Sequence, residues 1–261
     1  MKSFWLIFTC FSVHFMSVFG QEAAEKKIQA GIVFGTSVNF QQLNTKRFEQ
    51  DGIGGDFTIG VDMNYGLSDA FAFFTGLEFD FSKFSYNTVE GQNAWYNFND
   101  SEILGRSDNS SGSDLFLLKH RQHNTIYLTI PTMIQFRTSY IGYFRYFGKF
   151  GLKNSFCLSN KMNDEGFINP LSIGTPEIKQ NTNMHSPSDL LFYKGSVGLS
   201  LGAEWNFIGS TVLSGEVGYY YGFTPIHYTF DNDNLSLQDA NGFFSNSANQ
   251  NQLNFKLAVL F

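Results

Sequence analysis

Apolar and polar residues alternate one for one along eight segments of this chain, and the segments between them are short turns or long polar stretches. The last nine residues show the pattern in its simplest form. Leu253, Phe255, Leu257, Val259 and Phe261 share one face of an extended strand, and Asn254 and Lys256 share the other. The same period of two predicts strands over Lys27–Phe40, Asp56–Tyr65, Ala70–Ser82, Thr125–Arg137, Tyr146–Leu158, Leu190–Phe207 and Thr211–Phe223. Pro131 has no N–H to give a ladder, so a bulge or local break is expected there.

The connections alternate in length. Gly66–Asp69, Ser139–Phe144 and Ile208–Ser210 read as tight links, whereas 41–53, 87–123, 160–189 and 224–251 read as long polar loops. Residues 94–98 and 114–119 within the second loop allow a further hairpin, and so ten strands, or an extension of the strands that flank them.

Charge sharpens the picture. Lys27, Asp56, Asp62, Glu78, Asp80, Arg137, Lys149, Lys153, Lys194, Glu204, Glu216 and Lys256 all fall on the polar faces of these strands, and none on the apolar faces. A charge facing hydrocarbon at mid-membrane costs about 2–4 kcal/mol, so the apolar face suits lipid and the charged face a lumen. The expectation is an all-β, eight-stranded antiparallel up-and-down transmembrane β-barrel with short periplasmic turns and four long external loops. A secreted ligand-carrying barrel, with the charges outside, is the structural competitor. Each segment supplies the roughly 9–11 residues of a tilted crossing, which favours the membrane. Aromatic residues gather at both ends of the apolar face, Tyr65, Phe71, Trp205, Phe207 and Phe261 at the short-turn rim and Phe40, Phe81, Tyr193, Tyr221 and Phe223 at the other.

Residues 1–20 read as a secretory signal, with Lys2 before a largely apolar Phe4–Met16 and a small-residue exit at Val18-Phe19-Gly20, leaving 21–261 as one barrel domain. No later apolar run is long enough for a spanning helix. The formal net charge of −6 argues against nucleic acid as a partner. Cys10 leaves with the signal, so Cys157 has no internal disulfide partner.

Tyr65-Gly66-Leu67-Ser68-Asp69, Gly76-Leu77-Glu78-Phe79, Tyr127-Leu128-Thr129-Ile130-Pro131, Gly148-Lys149-Phe150-Gly151, Gly198 to Glu204 and Tyr221-Gly222-Phe223 together resemble the PorT-like outer-membrane barrel family of Gram-negative bacteria. The resemblance implies fold and an outer-membrane location. It also implies a link to gliding and to protein secretion through the type IX system, and it brings no functional residues with it.

Candidate chemistry is sparse. His120, His123, His185 and His227 fall in the long loops, where His120 and His123 have a spacing that suits a metal or a nucleophile such as Ser110 or Ser111 with Asp108 or Asp114. Solvated loop residues explain them equally, so no catalytic, metal or cofactor site is expected, and lipid or peptide modification stands as the enzymatic alternative. Depth along the strands instead predicts two interior ion pairs, Glu216 with Lys256 and Lys149 with Glu204, among the other interior charges Asp62, Glu78, Asp80, Arg137 and Lys194. Eight strands leave a lumen that side chains fill, so a plugged interior is expected and a small porin is the alternative. The expected protein is a monomer in outer-membrane lipid that meets an envelope or extracellular partner through its external loops, in an envelope, adhesion or secretion role.

Overall fold

The computed structural model describes residues 28–108, 113–169, 177–186, 190–208, 211–227 and 235–261. In chain order the strands are β1 (Ile28–Leu43), β2 (Phe48–Gln50), β3 (Gly54–Gly66), β4 (Phe71–Thr88), β5 (Trp95–Asn99), β6 (Glu102–Ile103) and β7 (Asp114–Arg137). They continue with β8 (Phe144–Ile168), β9 (Glu177–Met184), β10 (Tyr193–Ile208), β11 (Thr211–Gly222), β12 (Gln238–Asp239), β13 (Gly242–Phe243) and β14 (Ala248–Leu260).

Eight of these close into a ring. Antiparallel ladders run β1–β3, β3–β4, β4–β7, β7–β8, β8–β10, β10–β11 and β11–β14, and β14 returns to β1 through pairs such as Gly35↔Lys256. Closure leaves no unpaired edge at membrane depth, which is the condition a sheet must meet to cross hydrocarbon. The ten-stranded alternative is not adopted, because β5 pairs with the outer end of β7 instead of joining the ring. At Pro131 the ladder to β4 breaks: Thr75↔Thr132 is followed by Glu78↔Thr129 in unchanged register, while the β8 side stays paired through Pro131↔Lys153.

The wall is inside-out. Phe79, Leu199 and Leu257 are 43%, 54% and 70% exposed on the outer face, whereas Glu78, Glu204 and Lys256 are 0%, 0% and 4% exposed on the inner one. Asp56, Asp62, Asp80, Lys149, Lys153, Lys194 and Glu216 are buried with them. This is the arrangement of a barrel in lipid, and it removes the secreted-barrel competitor. Phe71, Trp205 and Phe261 ring the short-turn end, and Phe40, Phe81, Tyr221 and Phe223 the other, all exposed. Residues 1–20, Lys27 and the turn residues Gly209 and Ser210 lie outside the described residues, as does the side chain of Phe207.

The long polar segments are where the structure departs most from expectation. β7 and β8 have 24 and 25 residues, about twice what a crossing needs, and rise together beyond the wall. β5 pairs with β7, β9 with β8, β6 and β12 with β5, and β13 with β12. Beyond the membrane the inner face changes character: Phe48, Tyr86, Tyr96, Phe98, Phe116, Leu118, Met162, Met184 and Leu237 pack there into one apolar core. Hydrocarbon surrounds the lower half and water the upper, so the apolar side chains point outward below and inward above.

Two β-bulges make the change of face possible. Lys119 is an extra residue on β7, between Leu118↔Gly166 and His120↔Glu165, and Leu158 is an extra residue on β8, between Ile126↔Ser159 and Tyr127↔Cys157. Each bulge exchanges odd for even positions on its own strand. Phe116 and Leu118 therefore point inward above Lys119, while Arg121 and His123 point inward below it.

Candidate functional site

The lumen and the external extension are the two places where polar chemistry concentrates. In the lumen, Glu204 accepts from Arg145 through Nε (2.8 Å) and Nη2, and from Gln135 Nε2 at 3.1 Å. One layer further out, Lys149 Nζ donates to Glu216 at 2.5 Å and lies 3.5 Å from the Phe74 ring centre. Lys256 pairs with Glu78.

These partners correct the sequence-based pairings. Glu216 and Lys256 are direct cross-strand neighbours, and Lys149 and Glu204 are both buried nearby, but each finds another partner. A lysine side chain is long enough to reach past its neighbour, so Lys256 crosses the lumen to β4 and Lys149 reaches β11. Glu204 goes to its register partner Arg145, an inward residue missed when strand five is begun at Tyr146. The odd-numbered series Lys149 and Lys153, continued four residues back, would have found it.

Above these pairs Asp80 accepts from Thr58 (2.5 Å) and Thr129 (2.6 Å). Asp56 accepts from Asn39 and from Gln252 at 2.6 Å. Lys153 lies over the Tyr220 ring at 4.7 Å, and Lys194 over Tyr127 at 4.1 Å. Arg137, half-buried at the short-turn rim, donates to the Ser68 carbonyl at 3.1 Å. The inner face thus sets Asp56, Asp62, Glu78, Asp80, Glu204 and Glu216 against Arg137, Arg145, Lys149, Lys153, Lys194 and Lys256, so its formal charges cancel. Phe74, Met133 and Tyr220 meet across the interior. A gap of about 10 Å³ remains beside Asp62 and Lys256, room for about one water. The filling depends on glycine where rings approach the backbone: a Cβ on Gly202 would lie 2.3 Å from the Phe147 ring, and one on Gly198 2.5 Å from the Tyr220 ring.

Arg121 and Asp164 sit where the polar lumen meets the apolar core of the extension. They form a two-pronged pair at 2.8 and 2.7 Å with both side chains fully buried, and the guanidinium also lies over Tyr96 at 5.2 Å. Burial, with the Asp164 carboxylate nearby, pushes the Tyr96 phenol well above its ordinary range, so it stays protonated. At the surface of the extension Arg47 bridges to Asp239 at 2.5 Å and lies over Phe244 at 4.3 Å. The Arg47 hydrogen bonds hold the Asp239 carboxyl below the usual carboxylate range.

The four histidines separate. His120 points outward, 2.9 Å from Asn87 Oδ1 and 3.4 Å from Asp51. His185 is exposed, and its backbone forms an isolated parallel β-bridge with Glu102. His123 and His227 are buried with ring centres 5.5 Å apart, His123 stacked on Phe84 at 4.6 Å. Sequence spacing gave no hint of that second pair, because 104 residues separate its members in the chain. Ser110 and Ser111 lie outside the described residues, Asp114 accepts from Asn169 at 3.2 Å, and no group of three metal-ligating side chains is present among the described residues.

Three solved structures are similar to this fold. Neisserial surface protein A aligns at 9% identity over 90% of this chain and 96% of its own, with a TM-score of 0.33. The attachment invasion locus protein Ail of Yersinia pestis aligns at 12% over 89% and 98%, with a TM-score of 0.33. The outer membrane protein OprG of Pseudomonas aeruginosa aligns at 10% over 90% and 95%, with a TM-score of 0.39. No curated protein matches the sequence. The family model described as the outer membrane protein beta-barrel domain matches residues 19–228, most of the chain. A closed inside-out ring and that match lead to one assignment: the chain belongs to the outer membrane protein beta-barrel domain family and resides in the outer membrane of a Gram-negative envelope.

Proposed function

We propose that this protein is a non-enzymatic outer-membrane barrel, plugged inside and set as a monomer in lipid, which binds an envelope or extracellular partner through its external extension. Its strand and turn motifs resemble those of the PorT-like barrels, and that resemblance supports the role in adhesion or as an accessory to secretion that we favour. One observation carries this. The segments beyond the membrane, instead of being loose connections, build a β-structure with its own apolar core around Tyr96, Phe116 and Met162. Ordering that many residues costs conformational entropy, and a connection between strands has no need of it. Ile53 and Ile178 stay 72% and 67% exposed on the extension, as apolar contact points for a partner. The filled, charge-balanced lumen weighs against a solute channel.

The test is complementation of a gene deletion. The intact protein should restore adhesion or secretion, and a version with residues 89–113 and 170–189 replaced by tight turns should not, although it still shows the heat-modifiable gel mobility of a folded barrel. Full rescue by the trimmed version overturns the reading.

A further inference from the structure

Among the described residues, the outer wall carries charge at one place on its external border. On β4 the outward apolar series from Phe71 ends at Phe81, and the next outward residue is Lys83. Ten residues of strand at a tilt of about 40° rise roughly 26 Å, which matches the apolar band of about 25 Å, so Lys83 stands at the level of the outer headgroups. Lys83 is register partner to Asn124 on β7, and Asn124 to Lys161 on β8. Both lysines are exposed, and the row lies directly above Phe81, Ile126 and Leu158.

Three features set this row apart. Neither lysine has an ion-pair or hydrogen-bond partner among the described residues. On the other five wall strands the outward residues of this border are uncharged, as at Phe40, Phe57, Tyr193, Tyr221 and Asn251. The nearest outward acids, Asp51 and Glu165, lie farther from the membrane, and Asp51 faces His120. Strands are about 4.8 Å apart, so the lysine backbones stand roughly 10 Å from each other with the Asn124 amide between them. Two flexible ammonium groups at that spacing close on a single tetrahedral anion, and the amide supplies a further donor.

We propose that Lys83, Asn124 and Lys161 form a phosphate-binding site for the headgroup of an anionic outer-leaflet lipid. The aromatic and aliphatic band beneath the row receives the acyl chains, while the lysines hold the phosphate. This rests on the membrane orientation of the barrel and is independent of any partner of the extension.

The experiment uses the full-length protein in detergent micelles, with native mass spectrometry to count retained lipid. The probes are a phosphorylated outer-leaflet glycolipid, the same glycolipid after phosphatase treatment, and inorganic phosphate. Each lysine near an anionic surface contributes about a fivefold gain in binding, so Lys83→Gln with Lys161→Gln should weaken retention of the phosphorylated lipid about 25-fold. Lys46→Gln, on the extension, should leave it unchanged. The dephosphorylated lipid should bind wild type and double variant equally. Equal retention of the phosphorylated lipid by wild type and double variant overturns the site. Inorganic phosphate that competes as well as the lipid overturns the assignment to a headgroup.

Discussion

At the scale of single residues, the most consequential contact is the one between Arg121 and Asp164. Both charges are fully buried, and their two parallel hydrogen bonds offset the loss of hydration. A buried pair of this kind is weak evidence of net stabilisation, but removing one partner strands the other. Asp164→Leu should therefore destabilise the extension by about 3–5 kcal/mol, whereas Arg121→Met combined with Asp164→Leu should leave it as stable as wild type or more so. Hydrogen exchange of amides 114–123 and 160–168 measures this, with amides 125–136 of the wall as the unchanged reference. Faster exchange in the double variant than in Asp164→Leu alone would contradict it. The lumen pairs obey the same rule with different partners: Lys256 to Glu78 and Lys149 to Glu216 share burial by reaching across strands. That reach is why alternation along the strands placed these charges inside the barrel while depth along the strands mispaired them.

At the scale of elements, the bulges at Lys119 and Leu158 decide where membrane architecture ends and a water-facing core begins. Deleting Lys119 would restore strict alternation through β7 and turn Phe116 and Leu118 out of the core they now fill. Loss of a buried large apolar side chain costs about 2–5 kcal/mol, so the extension should open to proteases within 89–123 while the barrel keeps its heat-modifiable mobility. Resistance equal to wild type would show that the bulge does not set the inner face. These bulges also explain what could and could not be read from the chain. Within the wall the period of two runs unbroken, and Phe71 to Phe81 on β4 or Leu253 to Phe261 on β14 declare their faces without ambiguity. Between Asp114 and His123 one extra residue puts Phe116 and Leu118 in phase with each other but out of phase with Arg121 and His123, so 114–119 can be read as a strand by itself but not as a continuation of the wall strand. β9 and the two-residue strands fared the same way, because Asn, Asp and Gly dominate their surroundings.

At the scale of the whole molecule, a single tube of sheet carries two opposite solvent logics end to end, with a lumen crowded by side chains where they meet. Three kinds of group fill it in succession: the Glu204 and Arg145 layer at the short-turn rim, the Phe74, Met133 and Tyr220 layer with its flanking lysine pairs, and the Arg121 and Asp164 layer beneath the apolar core. Balanced charge removes the field that would draw one sign of ion inward, and the gap beside Asp62 and Lys256 has room for about one water. Wild-type protein in planar bilayers should accordingly give no discrete conductance steps. The middle layer is made of large side chains on β4, β7 and β11, so Phe74→Ala, Met133→Ala and Tyr220→Ala together clear the interior and keep every ion-pairing side chain, although Lys149 and Lys153 lose the rings they lie over. That variant should conduct only if the layers above and below are also permeable to water. Steps in the triple variant but not in wild type would make the aromatic layer the sole seal; silence in both would show that the Glu204 and Arg145 layer or the Arg121 and Asp164 layer closes the tube independently. Steps in wild type would contradict a plugged interior and return the protein to the porins.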